Sequence, residues 1–126
     1  MLRFGSGAPW EPLIGYSRAV SAGPFVFVAG TTGTLDGRVV GEGDAYAQTI
    51  QALRNVEKAL ASAGAQLSDV VQTQIFLTDV TRWEEVGRAH REVFAGGFPV
   101  TAMVGVAALI DPAMLVEVQA IAYRRS

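Results

Sequence analysis

The chain has 126 residues, half of them hydrophobic, which suffices for one buried core and leaves no room for a second. Charged residues make up 17%, the net charge is −2, and the ten Lys and Arg are scattered apart from Arg124 and Arg125, which argues against a nucleic-acid or membrane-surface binder. No cysteine is present, which excludes a disulfide framework, a thiol nucleophile and a cysteine metal site, and suits a reducing compartment. The segment Met1 to Gly7 lacks the apolar run of a signal peptide, and no stretch reaches the roughly 18 apolar residues of a membrane span, so a soluble cytoplasmic protein is expected.

Residues 1–15, broken by Pro and Gly around Trp10, read as an irregular arm. Ser17 to Ser21 and Phe25 to Ala29 are β-prone runs separated by Ala22-Gly23-Pro24, the chemistry of a tight hairpin. Gly30-Thr31-Thr32-Gly33 with Asp36-Gly37 reads as loop and turn, followed by a short strand from Arg38 to Val40. Asp44 is placed to cap a helix whose apolar positions Tyr46, Ile50, Leu53, Val56 and Leu60 recur at three- and four-residue steps before Gly64.

Val71, Thr73, Ile75 and Leu77 then alternate with Gln72, Gln74, Phe76 and Thr78, a strand with one buried face and one mixed. Thr81-Arg82-Trp83-Glu84 fits a capping box for a second helix, with Trp83, Val86, His90, Val93 and Phe94 on its inner side and Gly96-Gly97 as its stop. Val100 to Ala107 and Met114 to Tyr123 are the last strands, joined by a turn holding Asp111-Pro112. Two strand-helix-strand crossovers with terminal hairpins predict one α+β domain over residues 1–126, both helices on one face of a mixed sheet. Runs as apolar as Phe25-Val26-Phe27-Val28 and Met103-Val104-Gly105-Val106 leave the other face in need of cover, which further copies of the chain would supply.

One histidine and no cysteine leave too few soft ligands for zinc, so neither a metal nor a cofactor is expected. None of the serines lies in a G-x-S-x-G elbow, and no P-loop or dinucleotide fingerprint is present. Gly41 and Gly43 precede a helix, but Glu42 and Asp44 would repel a phosphate there. His90 reads as a partly buried packing residue. Glu117 is the unusual carboxylate: on the last strand it shares a face with Leu115, Gln119 and Ile121, so it is either paired or kept for proton transfer, unless the strand is an edge from which it reaches solvent or a cross-strand partner.

Six blocks carry a resemblance across nearly the whole chain: Gly15-Tyr16-Ser17-Arg18-Ala19-Val20, Val26-Phe27-Val28-Ala29-Gly30, Gly64-Ala65-Gln66-Leu67-Ser68-Asp69-Val70-Val71, Phe76-Leu77-Thr78-Asp79, Gly105-Val106-Ala107-Ala108-Leu109 and Val116-Glu117-Val118-Gln119-Ala120-Ile121-Ala122. In order and spacing they resemble the Rid (YjgF-like) family. The resemblance implies a chorismate-mutase-like fold, a homotrimer around a central barrel of sheets, and small-molecule clefts between subunits that in the family's deaminases hydrolyse enamines and imines. It assigns Tyr16 and Glu117 as catalytic, Glu117 beside the catalytic water. It makes Gly30, Thr31, Gly87, Thr101 and Met103 the substrate-binding set, and strand alternation adds Arg18, on the same side as Tyr16, as the candidate to bind a carboxylate. The block that reads Pro-Ala-Arg-Ser in the deaminases is here Pro99-Val100-Thr101-Ala102, so a hydroxyl stands where a guanidinium would clamp a carboxylate. Thr31 replaces a glutamine and Gly87 an asparagine, which makes the cleft roomier and less cationic and counts against 2-aminoacrylate as substrate. Three functions follow: a hydrolase acting on an imine or enamine, a trimer that binds a metabolite without turnover, and, least supported by an acidic chain, an endoribonuclease.

Overall fold

A computed structural model describes residues 1–125. Six strands, β1 (Leu2–Phe4), β2 (Ala19–Ala22), β3 (Phe25–Thr32), β6 (Val70–Leu77), β7 (Val100–Gly105) and β8 (Val116–Tyr123), form one sheet in the order β1-β2-β3-β8-β6-β7. Only β6 and β7 run parallel. Between β3 and α1 (Ala45–Ser62) stands a separate hairpin of β4 (Thr34–Leu35) and β5 (Arg38–Val39), turned by Asp36 and Gly37, both at positive φ, as a two-residue turn with the twist of a hairpin requires. The second helix, α2 (Trp83–Val93), packs beside α1 on the same face of the sheet.

This is the expected α+β architecture, with one change of topology. The β2–β3 hairpin forms, but β7 and β8 do not pair: β8 inserts between β3 and β6, antiparallel to both, and leaves β7 at the edge. The reason lies in its inner face, because Val116, Val118, Ala120 and Ala122 are all essentially inaccessible and fill the middle of the core against Leu53, Val56 and Leu60 of α1. Glu117 therefore sits on a central strand, not an edge. The N-terminal segment is also more ordered than an irregular arm, since Leu2–Phe4 pairs with Ser21–Ala19 and Glu11–Gly15 forms a wide helical turn.

Local details differ where tertiary packing outweighs pattern. Asp44 caps α1 as expected, accepting from the Ala47 N–H at 3.0 Å, but the buried stripe runs through Ala45, Gln48, Thr49, Ala52 and Ala59, while Tyr46 and Ile50 stay half-exposed. Small side chains let the helix lie close to the sheet. A bulge between Val70 and Gln72 shifts β6 by one residue, so Val71 is exposed while Thr73, Ile75 and Leu77 remain inside. The capping box at Thr81 does not form: Asp79 accepts from the N–H and hydroxyl of Thr81, starting a short 3₁₀ turn that runs into α2, and Trp83 is left 55% exposed.

Gln48 is the buried polar residue that ties this arrangement together. Its amide donates to the carbonyls of Gly41 and Ala113 at 3.2 and 2.9 Å and accepts from the Leu115 N–H at 2.8 Å, fixing the loops that lead into α1 and β8. Leucine there would leave the Ala113 carbonyl and the Leu115 N–H unpaired at about 1–3 kcal/mol each, while the Gly41 carbonyl keeps the Asp44 N–H. Gln48→Leu should lower the melting temperature by roughly 10 °C, measured by circular dichroism.

Candidate functional site

The sheet face away from the helices is apolar and open. Phe25, Phe27, Val100, Val104 and Tyr123 are all more than a third exposed there, with Phe25 edge-on to Tyr123 at 5.2 Å. Beside it, a groove of about 930 Å³ runs between the N-terminal segment, the end of β3 and β8. Its polar floor holds Tyr16, Arg18, Gly30, Thr31 and Glu117, which the sequence reading had grouped.

The floor is shaped by a second bulge. The β3–β8 register shifts between Val28 and Thr31, taking Ala29 and Gly30 out of the ladder just where Glu117 points outward from β8. Glu117 lies so close to Gly30 that a Cβ on that glycine would stand 2.5 Å from Glu117 Oε2. Among the described residues the Glu117 carboxylate has neither a hydrogen-bond donor nor an ion-pair partner: the ion pairs are Arg18–Glu11 and Arg82–Glu85. Burial pushes its pKa above the ordinary glutamate value, and the nearby positive charge of Arg18 only partly offsets this.

Arg18 is held from four directions. Its Nη1 donates to the Gly30 carbonyl at 2.6 Å and to Thr31 Oγ1 at 3.0 Å, its Nη2 donates to the Tyr16 hydroxyl at 3.0 Å, and its Nε lies 3.7 Å from Glu11 Oε2. The Nε–H and one Nη2 N–H have no hydrogen-bond acceptor, but Glu11 already stands on the Nε side, so a second carboxylate at that fork would meet its negative charge. Strand alternation had placed Arg18 with Tyr16, and the guanidinium indeed stands 5.3 Å from the Tyr16 ring centre.

Glu11 and Ser6 were not anticipated. Glu11 is buried in the turn before Tyr16, where burial raises its pKa but the hydroxyl and N–H of Ser6, with the charge of Arg18, outweigh that and hold it below the ordinary value. The readable signal was the one that marked Glu117: a lone carboxylate among apolar neighbours, here Trp10, Leu13 and Ile14.

Gly87, Thr101 and Met103 do not join this group. Thr101 and Met103 pair with Thr73 and Ile75 and so face the helix side, opposite to Glu117. There Thr73 Oγ1, fully buried, lies 2.9 Å from His90 Nε2 and donates to Thr101 Oγ1 at 2.7 Å. His90 also stacks at 4.7 Å on Phe94, and burial lowers its pKa. Gly87, one turn before His90, has open space where a side chain would stand. A cleft between Thr101 and Glu117 is thus not formed within one chain. Among the described residues no group of three or more His, Asp or Glu converges as metal ligands do, and no helix is long and apolar enough to cross a membrane.

Residues 7–124 match the family model described as Endoribonuclease L-PSP. A Streptomyces coelicolor protein, SCO2049, is 42% identical over 97% of this chain and 91% of its own length, and the RutC family protein PH0854 of Pyrococcus horikoshii is 35% identical over 96% and 95%. The crystal structure of Rv2704 from Mycobacterium tuberculosis, a member of the YjgF/YER057c/UK114 family, superposes with a TM-score of 0.88 at 52% identity, covering 97% of this chain and 98% of that one.

Proposed function

The chain belongs to the Endoribonuclease L-PSP family, the YjgF or Rid family, and from that premise we propose that it hydrolyses an imine or enamine in a cleft completed by a second copy of itself. The observation that carries this reading is Glu117: a half-buried carboxylate without a donor or counter-ion, its pKa raised, in the floor of a groove beside a glycine that leaves it room. As the base, Glu117 takes a proton from water while the water oxygen bonds to the imine carbon. That proton passes to the nitrogen to give a carbinolamine. Glu117 then takes the hydroxyl proton and delivers it to the nitrogen as the carbon–nitrogen bond breaks and the carbonyl forms, so that a carbonyl compound and ammonia leave. An enamine is first protonated at its carbon to the imine. Tyr16, its hydroxyl held by Arg18, orients the substrate. No metal or cofactor enters the scheme.

Two observations support the second copy. The apolar outer face needs cover, and Gly87, Thr101 and Met103 lie where only another subunit could bring them to the Glu117 groove. Light scattering should give three times the 13.3 kDa chain mass; a monomer at micromolar concentration would remove the cleft. The site itself is tested by ammonia release from a panel of generated imines. Gly30→Ala, whose methyl must displace the Glu117 carboxylate, should cut turnover about tenfold or more while leaving the assembly intact, on the sensitivity of such groups to small misplacement.

A second reading, a trimer that binds a metabolite without turnover, is favoured by Thr101 and by the standing of Glu11 at the Arg18 fork, which together leave no guanidinium open to a carboxylate. Endoribonuclease action has least support, because the one histidine is buried on the face opposite Glu117.

A further inference from the structure

Arg18 is the cation nearest to Glu117 in the groove, yet the two do not pair. Around Glu117 the groove presents Arg18 and Tyr16 from the segment before β2, Asp36 from the β4–β5 turn, Lys58 from α1 and Asp111 from the loop before β8. The cross-strand neighbours of Glu117, Thr32 on β3 and Phe76 on β6, are uncharged, and the charge that acts on its carboxyl is that of Arg18. One glycine separates them: Arg18 Nη1 donates to the Gly30 carbonyl at 2.6 Å, and Glu117 Oε2 fills the space where a Gly30 Cβ would stand. A guanidinium and a partnerless carboxylate this close form an ion pair unless something holds them apart. Glu11 stands on the far side of Arg18, 3.7 Å from its Nε. It is only 8% exposed and is pinned by the N–H and hydroxyl of Ser6 at 3.1 and 2.5 Å, and Gly5, whose Cβ would lie 3.0 Å from Glu11 Oε1, leaves it room. The hydrolytic scheme gives Glu11 no part. We propose that Glu11 is a positioning residue that holds the Arg18 guanidinium on the N-terminal side of the groove and balances its charge, so that Arg18 serves the Tyr16 hydroxyl and the Gly30 carbonyl and leaves Glu117 free to take a proton from water. This role rests on Glu117 being the base of the hydrolysis proposed above.

A carbon-13 NMR titration of the carboxyl groups in the assembled protein tests this, with the Glu117 signal identified as the one that Glu117→Gln removes, alongside the pH–rate profile of ammonia release. In wild type the Glu117 carboxyl should titrate above the ordinary glutamate range. Glu11→Gln keeps an acceptor for Ser6 but removes the charge that balances Arg18. It should move the Glu117 titration and the acid limb of the profile to lower pH and cut turnover about tenfold, since the base is then weakened and drawn toward the guanidinium. Glu11→Asp keeps the charge and should leave both near their wild-type positions. Adding Arg18→Met to Glu11→Gln should carry the Glu117 titration back to its wild-type position or above, because the released cation is gone. A Glu11 that served stability alone would lower the melting temperature and leave the titration where it was. An unmoved Glu117 titration in Glu11→Gln, an equal downward shift in the double variant, or a wild-type Glu117 that titrates in the ordinary range overturns the proposal. The titration reads Glu117 whether or not any imine of the panel is hydrolysed, so a failure of this role and a failure of the proposed reaction are told apart.

Discussion

Glu117→Gln should abolish hydrolysis, lowering turnover by about 10²–10⁴-fold, while the assembly keeps or slightly gains thermal stability. The two halves of that expectation have separate causes. Glutamine keeps the shape beside Gly30 but cannot accept a proton from water, so the chemical step loses its base. Stability follows from the raised pKa: in the unfolded chain Glu117 titrates near the ordinary value, in the folded chain above it, and between the two the native state binds more protons. Its contribution is therefore present at low pH and lost as pH rises through the folded pKa. Above the folded pKa the ionised carboxylate stands desolvated without a direct partner, and removing the charge relieves that. For the same reason the acid limb of the pH–rate profile should lie above the ordinary carboxylate range. Ammonia release, thermal melting and light scattering on one preparation separate the alternatives. If Glu117 only binds ligand, affinity changes and there is no turnover to lose. If it were half of a buried ion pair, the variant would lose about 3–5 kcal/mol and dissociate.

Arg18→Met should be the most destabilising single change in the groove. The guanidinium satisfies the Gly30 carbonyl, the Thr31 and Tyr16 hydroxyls and the buried charge of Glu11, with side-chain exposures of only 12% and 10% for the Arg18–Glu11 pair. Methionine fills the volume but leaves the Gly30 carbonyl without its donor and Glu11 without its counter-ion, held only by the Ser6 N–H and hydroxyl, which costs about 1–3 kcal/mol for the stranded carbonyl and lowers the melting temperature by several degrees. Adding Glu11→Gln should recover part of the loss, because it removes the stranded charge, and a double-mutant cycle reads the coupling directly. The pH dependence runs opposite to that of Glu117. Glu11 is held below its ordinary value, so its contribution is present above the unfolded pKa and lost as pH falls through the folded one. Glu11→Gln should accordingly flatten the acid limb of the stability curve.

Local sequence determined what local physics controls. The Asp44 cap, the Leu53, Val56 and Leu60 part of the α1 period, the alternation of β8 that puts Glu117 outward and the pairing of Arg18 with Tyr16 all follow from spacings of two to four residues, and all are present. The six spaced blocks also sufficed to place the chain in its family. Tertiary structure decided the rest, because it depends on competition between distant segments for the same core. Whether β8 lies at an edge or in the centre turned on its inner face being the most completely buried, and the bulges at Val71 and Gly30 were set by neighbouring strands. The engagement of Arg18 by Glu11, and the turning of Thr101 onto the opposite face toward Thr73 and His90, likewise join residues that no short-range pattern connects. A buried polar group takes whatever partner the packed chain brings within reach, and that partner is named by the fold.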